Sequence, residues 1–277
     1  MFSEQRLRLS QSILVFDSGV GGLSILAEIQ ALLPQHHYYY LFDNARLPYG
    51  ELEEQTLIRG CVDLLVPLVE HIKADILVIA CNSASTLVLP ALRERLTIPV
   101  VGVVPAIKPA AKLSQSKHIG LLATPGTIKR RYTHELIAQY AHDCHVELFG
   151  SSELVLLAEQ KCAGFHLDAA ILTSLLQPIR DADIDVLVLG CTHFPMLKAE
   201  IADVLGTGVT LLDSGAAIAR RVSQLLEASA AESLPPLPLQ QSLVAAYYTG
   251  SLSVGLENLL RQQGFQAIKK LTANGQF

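Results

Sequence analysis

The sequence lacks the cysteine spacing of metal sites and disulfide frameworks. Its 277 residues include five cysteines, an odd number, and no two of them form a CxxC pair. This pattern argues against a disulfide scaffold and against a zinc site, and it favours a reducing, cytoplasmic setting. The five are Cys61, Cys81, Cys144, Cys162 and Cys191.

Basic clusters and long apolar runs are also absent. Lys and Arg number 21 against 26 Asp and Glu, and no basic run can track a phosphate backbone, which argues against nucleic acid as a ligand. The apolar run 13–16 ends at Asp17, too early for a signal peptide. The uncharged stretch after Asp75 has small and polar residues at 81–86, so no membrane span or membrane partner is expected.

The remaining composition is that of a folded protein. Hydrophobic residues make up 50% of the chain and charged residues 17%, which excludes disordered and collagen-like classes. Short apolar segments, typical of strands buried on both faces, alternate with helical patterns. We therefore predict an α/β fold with open parallel sheets. The predicted strands are 12–16, 37–42, 75–80, 98–101, 118–123, 145–149, 185–190, 209–212 and 243–248.

Two parts of the chain resemble each other. Aligning four successive strand-helix units at a nearly constant offset places Asp17 over Thr124 and Cys81 over Cys191. Any two such units share some likeness, but a constant offset across four of them favours an internal duplication. The sequence thus predicts two similar lobes with an active site in the cleft between them. The predicted lobes are residues 1–102 with 215–277, and residues 103–214.

Two cysteines lie where open parallel sheets bind ligands, at the carboxyl ends of strands. Cys81 and Cys191 each follow an apolar strand and precede small residues that suit a helix N-terminus, which favours the thiolate. The duplication sets them on opposite sides of one cleft. There, one can remove a proton from a carbon while the other supplies a proton to the opposite face. The alternative is a pair of buried structural cysteines.

The turn 17–22 joins a strand to an amphipathic helix and exposes backbone amides that can bind a carboxylate or phosphate. It has neither the GxGxxG order nor a P-loop lysine, so it does not predict a nucleotide cofactor. A tight turn that needs glycine is the alternative. Asp17 can orient a substrate ammonium and relay protons. His193 can assist Cys191, or it can be a structural histidine.

Five motifs stand at predicted strand ends: 16–24 (FDSGVGGLS), 43–50 (DNARLPYG), 80–85 (ACNSAS), 123–127 (ATPGT) and 190–195 (GCTHFP). With these motifs in this order, the chain resembles the bacterial glutamate racemases of the aspartate/glutamate racemase family. The resemblance extends from about residue 13 to beyond residue 215. The Cys-Thr-His at 191–193 separates the chain from aspartate racemase relatives, which typically carry Cys-Thr-Glu there.

The resemblance implies an enzyme that interconverts L- and D-glutamate without pyridoxal phosphate or any other cofactor. Its D-glutamate would supply peptidoglycan synthesis. It also implies a homodimer. Some relatives have N-terminal extensions that bind a cell-wall precursor as an activator, and the segment before residue 13 is shorter than these, so activation stays open.

The resemblance also implies roles for individual residues. Cys81 and Cys191 match the two catalytic thiols, Asp17 and Glu159 match the supporting acids, and His193 matches the histidine beside the second thiol. The implied substrate contacts are Asp17, Ser18, Tyr49, Gly50, Asn82, Ser83, Thr192 and His193.

Two departures from the family pattern bear on these roles. Ser83 stands where threonine is usual, which keeps the hydroxyl. Residues 151–153 read Ser-Ser-Glu in place of a more usual Ala-Cys-Pro before the supporting acid. Glu153 is therefore an alternative to Glu159.

Three other functions stay open from the sequence. The first is a racemase for another acidic substrate, such as aspartate. The second is a thiol hydrolase with Cys191 as nucleophile and His193 as base, which leaves Cys81 without a role. The third is a two-lobed module that binds a small dicarboxylate without exchanging any carbon-bound hydrogen.

Overall fold

The computed structural model describes residues 10–227 and 242–271. In this part of the chain, ten strands form a six-stranded and a four-stranded sheet, and all paired neighbours run parallel. The strands are β1 (Ser12–Asp17), β2 (His37–Phe42), β3 (Ile76–Ile79), β4 (Val100–Gly102), β5 (His118–Ala123), β6 (His145–Gly150), β7 (Val186–Leu189), β8 (Thr210–Leu212), β9 (Leu243–Tyr248) and β10 (Ala267–Lys270).

The helices follow the strands in alternation, which confirms the α/β class. Several begin where a side chain accepts backbone N–H groups, as Glu53, Asp168 and Ser253 do. No described helix is both long enough and apolar enough to cross a membrane. The helices are α1 (Leu23–Leu32), α2 (Glu54–Ile72), α3 (Asn82–Ser85), α4 (Leu89–Arg95), α5 (Ile107–Leu113), α6 (Pro125–Lys129), α7 (Arg131–Tyr140), α8 (Glu153–Cys162), α9 (Ala169–Asp181), α10 (Lys198–Leu205), α11 (Gly215–Glu227) and α12 (Val254–Gln263).

The strand order confirms the internal duplication. The six-stranded sheet has the order β10-β9-β2-β1-β3-β4, and the four-stranded sheet has the order β6-β5-β7-β8, which repeats β2-β1-β3-β4. The registers correct one detail of the alignment. Phe16 pairs with Ile79 and Leu122 pairs with Leu189, so Asp17 corresponds to Ala123 rather than to Thr124.

The position of β1 inside the first sheet explains why its sequence is continuously apolar up to Asp17. Along β1, Ile13 and Val15 face one core cluster, whereas Leu14 and Phe16 face another. Helices cover both faces of the sheet, so these four positions are buried whichever way their side chains point, and all four are apolar. Phe16, the last apolar residue, directly precedes Asp17, which is fully buried at the carboxyl end.

The nine predicted strands are present, with bounds that differ by at most two residues. The tenth, β10, was not predicted from the sequence because it is short, lies at the sheet edge and is half exposed. Strand β9 lies beside β2 in the first sheet. The domain boundaries at residues 102 and 214 stay a prediction, and residues 1–9, 228–241 and 272–277 of the predicted first lobe lie outside the described part.

Candidate active site

The carboxyl ends of β1, β3 and β7 bring three predicted site residues together. Asp17 ends β1, Cys81 lies two residues after β3, and Cys191 lies two residues after β7. All three are buried. The charge of Cys191 is one of the causes that raise the pKa of Cys81, so the two sulfur atoms lie within electrostatic range of each other.

Asp17 connects the two sheets. Its Oδ1 accepts a hydrogen bond from the Ser18 N–H at 2.7 Å, and its Oδ2 accepts one from the Thr192 hydroxyl at 2.9 Å, across the cleft. Burial raises the pKa of this carboxyl, and the nearby His193 cation offsets only part of the rise. Asp17 is therefore easier to protonate than an exposed aspartate.

Cys81 is held as a neutral thiol, so the expectation that the helix N-terminus favours its thiolate is wrong. Its sulfur lies 3.7 Å from the Ser18 hydroxyl. Burial raises the pKa of the thiol well above its ordinary value, and the negative charge of Asp17 adds to the rise, although the N–H of Ala84 in α3 opposes it. A thiol in this state has a proton to give, which is what an acid in the cleft requires.

Cys191 faces a histidine that carries a positive charge. The Cys191 sulfur lies 3.8 Å from Nδ1 of His193, and Nε2 of the same ring lies 2.7 Å from Oε1 of Glu159. Burial alone lowers the pKa of His193, but the hydrogen bonds with Cys191 and Glu159 outweigh it and hold the pKa well above its ordinary value. As an imidazolium, the ring donates from both nitrogens, one toward the sulfur and one toward the carboxylate.

Glu159, on α8, also reaches the other sheet. Its Oε1 accepts a hydrogen bond from the Val20 N–H at 2.7 Å, within the turn that follows β1. The expectation that these turn amides bind a substrate anion is wrong for Val20, because the Glu159 side chain occupies its amide. The alternative acid, Glu153, accepts from the Ser151 hydroxyl at the start of α8.

Two glycines of this turn allow the close approach. A Cβ at Gly19 would overlap the Glu159 carboxylate and lie 2.8 Å from Nε2 of His193, and a Cβ at Gly21 would lie 2.5 Å from Nδ1. Real Cβ atoms do not come this near. The close contacts with Glu159 and His193 therefore require glycine at both positions.

Tyr49 has a buried hydroxyl that is already in use. It donates to Oδ2 of Asp43, and the ring lies against Phe16 with centroids 6.2 Å apart. Asp43 also accepts from Arg46 Nε at 2.5 Å and from the Thr249 hydroxyl at 2.6 Å. Tyr49 is therefore part of the hydrogen-bonded group around Asp43. These contacts fix the position of Gly50, which follows Tyr49 in the chain.

Gly50 lies at a tight contact between the two sheets. A Cβ there would come within 2.6 Å of Thr124, and a Cβ at Gly126 would meet the Gly50 carbonyl. The Ser83 hydroxyl lies 3.0 Å from the Thr124 hydroxyl and 3.3 Å from that of Thr127. The predicted residues Gly50 and Ser83 thus meet the second repeat directly.

The partners of Ser83 are site residues that the sequence does not predict. Thr124 and Thr127 belong to the quoted 123–127 motif, but they were not assigned to the site. Arg130 has no pattern that marks it, yet its Nη1 donates to the Ser83 carbonyl at 2.6 Å and to the Thr86 hydroxyl at 2.7 Å. Only the three-dimensional placement of α6 against α3 reveals this contact.

Asn82 has an unused polar atom at the site. Its side chain is buried, and Oδ1 has no hydrogen-bond partner among the residues that the structure describes. A buried amide oxygen without a partner is costly in a folded protein. Its position beside Cys81 suits an acceptor for a donor on a bound ligand.

Comparison with known proteins gives the chain its family. The model of the Asp/Glu/Hydantoin racemase family matches residues 23–222. A glutamate racemase of Shewanella sp. strain MR-7 is 64% identical over 266 residues, which is 95% of this chain and 98% of that protein.

Solved structures agree with this match. The Escherichia coli glutamate racemase in complex with L-glutamate and the activator UDP-MurNAc-ala is 46% identical, with a TM-score of 0.87 over 95% of this chain and 98% of that one. The Francisella tularensis enzyme in complex with D-glutamate is 25% identical, with a TM-score of 0.75 over the same shares of the two chains. On sequence, fold and full-length coverage, the chain belongs to the Asp/Glu/hydantoin racemase family.

Proposed function

We propose that this chain is a glutamate racemase that inverts the α-carbon of glutamate with two thiols, Cys81 and Cys191. The observation that carries the proposal is the placement of these cysteines at equivalent ends of duplicated strands, both buried and within electrostatic range of each other. The reaction needs no cofactor, because deprotonation and reprotonation at carbon require only a base on one face and an acid on the other.

The two sulfur atoms have different surroundings. Cys81 rests as a thiol, because burial and Asp17 disfavour its charge. Cys191 instead has His193 beside it, with Nδ1 of the ring 3.8 Å from the sulfur. In the proposed reaction, Cys191 removes the proton from L-glutamate while Cys81 supplies a proton to the opposite face. After inversion, the protonation states are exchanged, and the enzyme is ready for D-glutamate.

The polar groups around the cleft suit an amino acid as substrate. The Asp17 carboxylate, with Thr192 on its second oxygen, can face an ammonium group, and the free Oδ1 of Asn82 can accept from the same group. The hydroxyls of Ser18 and Ser83 and the Thr192 side chain offer donors for carboxylates. The assignment of these contacts to substrate is part of the proposal.

The test is polarimetry on purified enzyme with L-glutamate, and separately with D-glutamate, without pyridoxal phosphate and with a chelator present. We expect both solutions to reach zero rotation, because the enantiomers have equal free energy. L- and D-aspartate serve as controls and should keep their rotation. Racemisation of aspartate alone, or dependence on pyridoxal phosphate, would overturn the proposal.

The same assay separates the other functions that the sequence left open. A thiol hydrolase would form an acyl-enzyme at Cys191 and would not need Cys81. A binding module would bind glutamate but would not exchange its α-hydrogen with solvent. Incorporation of deuterium from heavy water into glutamate distinguishes both from a racemase.

Two further features are proposed with the function. The E. coli relative is described with a UDP-linked activator, so we propose that this chain also responds to a cell-wall precursor of that type. Addition of the precursor to the polarimetric assay should then raise the rate. We also propose that the protein is a homodimer, as the family resemblance implies, and that it acts in the cytoplasm. Measurement of its mass in solution tests the homodimer.

A further inference from the structure

A second cluster of chemically active side chains lies at the opposite end of the smaller sheet. His118 begins β5 and His145 begins β6, and the two residues are register partners in the parallel pair. Glu147 lies two positions further along β6, so its side chain points to the same face. Within the described residues, these are the ones whose metal-ligand atoms gather in one group, all within 4.8 Å of one another.

The spacing suits a tetrahedral divalent ion. Zinc binds nitrogen and carboxylate oxygen at about 2.0–2.2 Å, so two ligand atoms in a tetrahedral site lie roughly 3.3–3.5 Å apart. Nε2 of His118 already lies 3.3 Å from Oε2 of Glu147. The ring of His145 has its centroid 4.6 Å from that of His118, and His145 is exposed, so a small rotation brings its nitrogen to the same distance.

The neighbouring charge does not oppose a cation at this place. Lys117 directly precedes β5, but its ammonium is held by the Asp143 carboxylate at 3.0 Å and by the Ala111 carbonyl at 3.3 Å. The carboxylate of Glu147 supplies the negative charge. Strand β6 is at the edge of its sheet, which leaves the cluster accessible to an ion from solution.

The cluster is separate from the racemase site. His118 and Ala123 are the first and last residues of β5, and five steps of about 3.3 Å place the two ends roughly 16 Å apart. The racemase cleft lies at the carboxyl end and this cluster at the amino end, so neither uses a side chain of the other.

We propose that His118, His145 and Glu147 form a site for a divalent transition metal of the zinc class, with water completing the coordination. Two imidazoles and one carboxylate are a ligand set that zinc, nickel and cobalt accept. The ion bridges β5 and the edge strand β6. Because it binds the folded chain, it raises the stability of the folded state.

The experiment uses Co²⁺ as a spectroscopic probe on the full-length protein, followed by competition with Zn²⁺. We expect one Co²⁺ per chain with visible d–d absorption and without sulfur-to-cobalt charge transfer, and loss of this spectrum when Zn²⁺ is added. The charge-transfer band matters because Cys81 and Cys191 are the obvious rival ligands. A spectrum dominated by sulfur coordination, or no absorption at all, overturns the proposal.

Matched variants test the ligands themselves. His145→Gln removes an exposed ligand, and Glu147→Gln keeps a hydrogen-bond acceptor for His118, so both variants should fold. Each should weaken Co²⁺ binding at least tenfold and abolish the metal-dependent rise in the thermal midpoint. His134→Ala, an exposed histidine on α7, is the control and should bind as the unchanged protein does. Equal binding by all three variants contradicts the site. The readout is independent of racemisation, so the outcome stands whether or not the proposed function does.

Discussion

The Glu159 carboxylate lies 2.7 Å from Nε2 of His193, and the same oxygen accepts the Val20 N–H at 2.7 Å. One oxygen atom therefore joins the histidine beside the second thiol to the turn beside the first strand. One carboxylate therefore contributes both to the charge of His193 and to a contact between the two lobes. Substitution of Glu159 therefore tests how the charge of His193 contributes to the reaction.

The two-thiol mechanism predicts opposite isotope behaviour for two variants. Cys81→Ala and Cys191→Ala should each lose racemisation by about 10² to 10⁴-fold or more, since each removes a proton-transfer group. In deuterated water, Cys81→Ala should exchange the α-hydrogen of L-glutamate only, and Cys191→Ala that of D-glutamate only, as measured by NMR.

The control is Cys144→Ala, which removes a half-buried cysteine outside the site and should racemise normally. Near-normal racemisation by either site variant would contradict the mechanism. Exchange with the opposite enantiomer preference would keep the mechanism and reverse the assignment of faces.

Glu159→Gln should reduce kcat about 10- to 100-fold, in line with the loss of a hydrogen bond to a charged group. The carboxylate favours the protonated form of His193 and helps to raise its pKa. Without that charge the pKa falls, so His193 loses its proton at lower pH. The alkaline limb of the kcat profile should therefore move toward lower pH.

Glu153→Gln is the matched variant, since its carboxylate contacts Ser151 instead. Its pH profile should be that of the unchanged enzyme. If Glu153→Gln shifts the alkaline limb and Glu159→Gln does not, then Glu153 is the supporting acid.

Gly21→Ala should disable the site by displacing His193. The added Cβ would lie 2.5 Å from Nδ1 and 2.8 Å from the backbone nitrogen of His193. We expect kcat to fall by at least about tenfold, because misplacing a catalytic group by an ångström can cost roughly 10²-fold. Gly208→Ala, where nothing lies within 4 Å, should keep full activity in the same assay. Normal kinetics of Gly21→Ala would show that the turn can move without effect.

Bound glutamate should protect both thiols from alkylation. Cys81 and Cys191 are buried, so a reagent reaches them only when the cleft opens. Mass spectrometry should show slow labelling that glutamate suppresses at both positions, with Cys144 as the internal reference. Arg130→Ala removes the hydrogen bonds to Ser83 and Thr86 and should speed labelling without ligand. Protection of one cysteine alone would contradict the facing thiols.

Much of the fold follows from the sequence because burial on both faces leaves a clear signal. The strands that carry the site are continuous apolar runs, and a polar or reactive residue stands at their ends: Asp17 is the last residue of β1, and Cys81 lies two residues after β3. Strand β10 gave no such signal, since its residues Ala267–Lys270 include two exposed lysines at a sheet edge. Its place is decided by pairing with β9, which no local pattern encodes.

The site was predictable only in part. Strand ends and the duplication indicate Cys81 and Cys191 from the residues alone. Glu159 lies in the interior of α8 and reaches Val20 across the cleft, so no spacing in the sequence points to it, and only the family resemblance does. The contacts of Arg130 are equally non-local, because they join residues that are distant along the chain.

The Thr249 hydroxyl donates a hydrogen bond to Asp43. Through this contact the last part of the chain holds a loop of the site, and the duplicated strands do not provide such a contact. A fragment that stopped before residue 242 would contain both repeats and both reactive cysteines. It would nevertheless lack β9 beside β2, and Asp43 would lose one of the donors that hold it in place beside Tyr49 and Gly50. The two duplicated units alone therefore do not complete the site. The segment after residue 242 pairs with β2 of the first sheet and stabilises the loop 43–50, which contacts the second repeat.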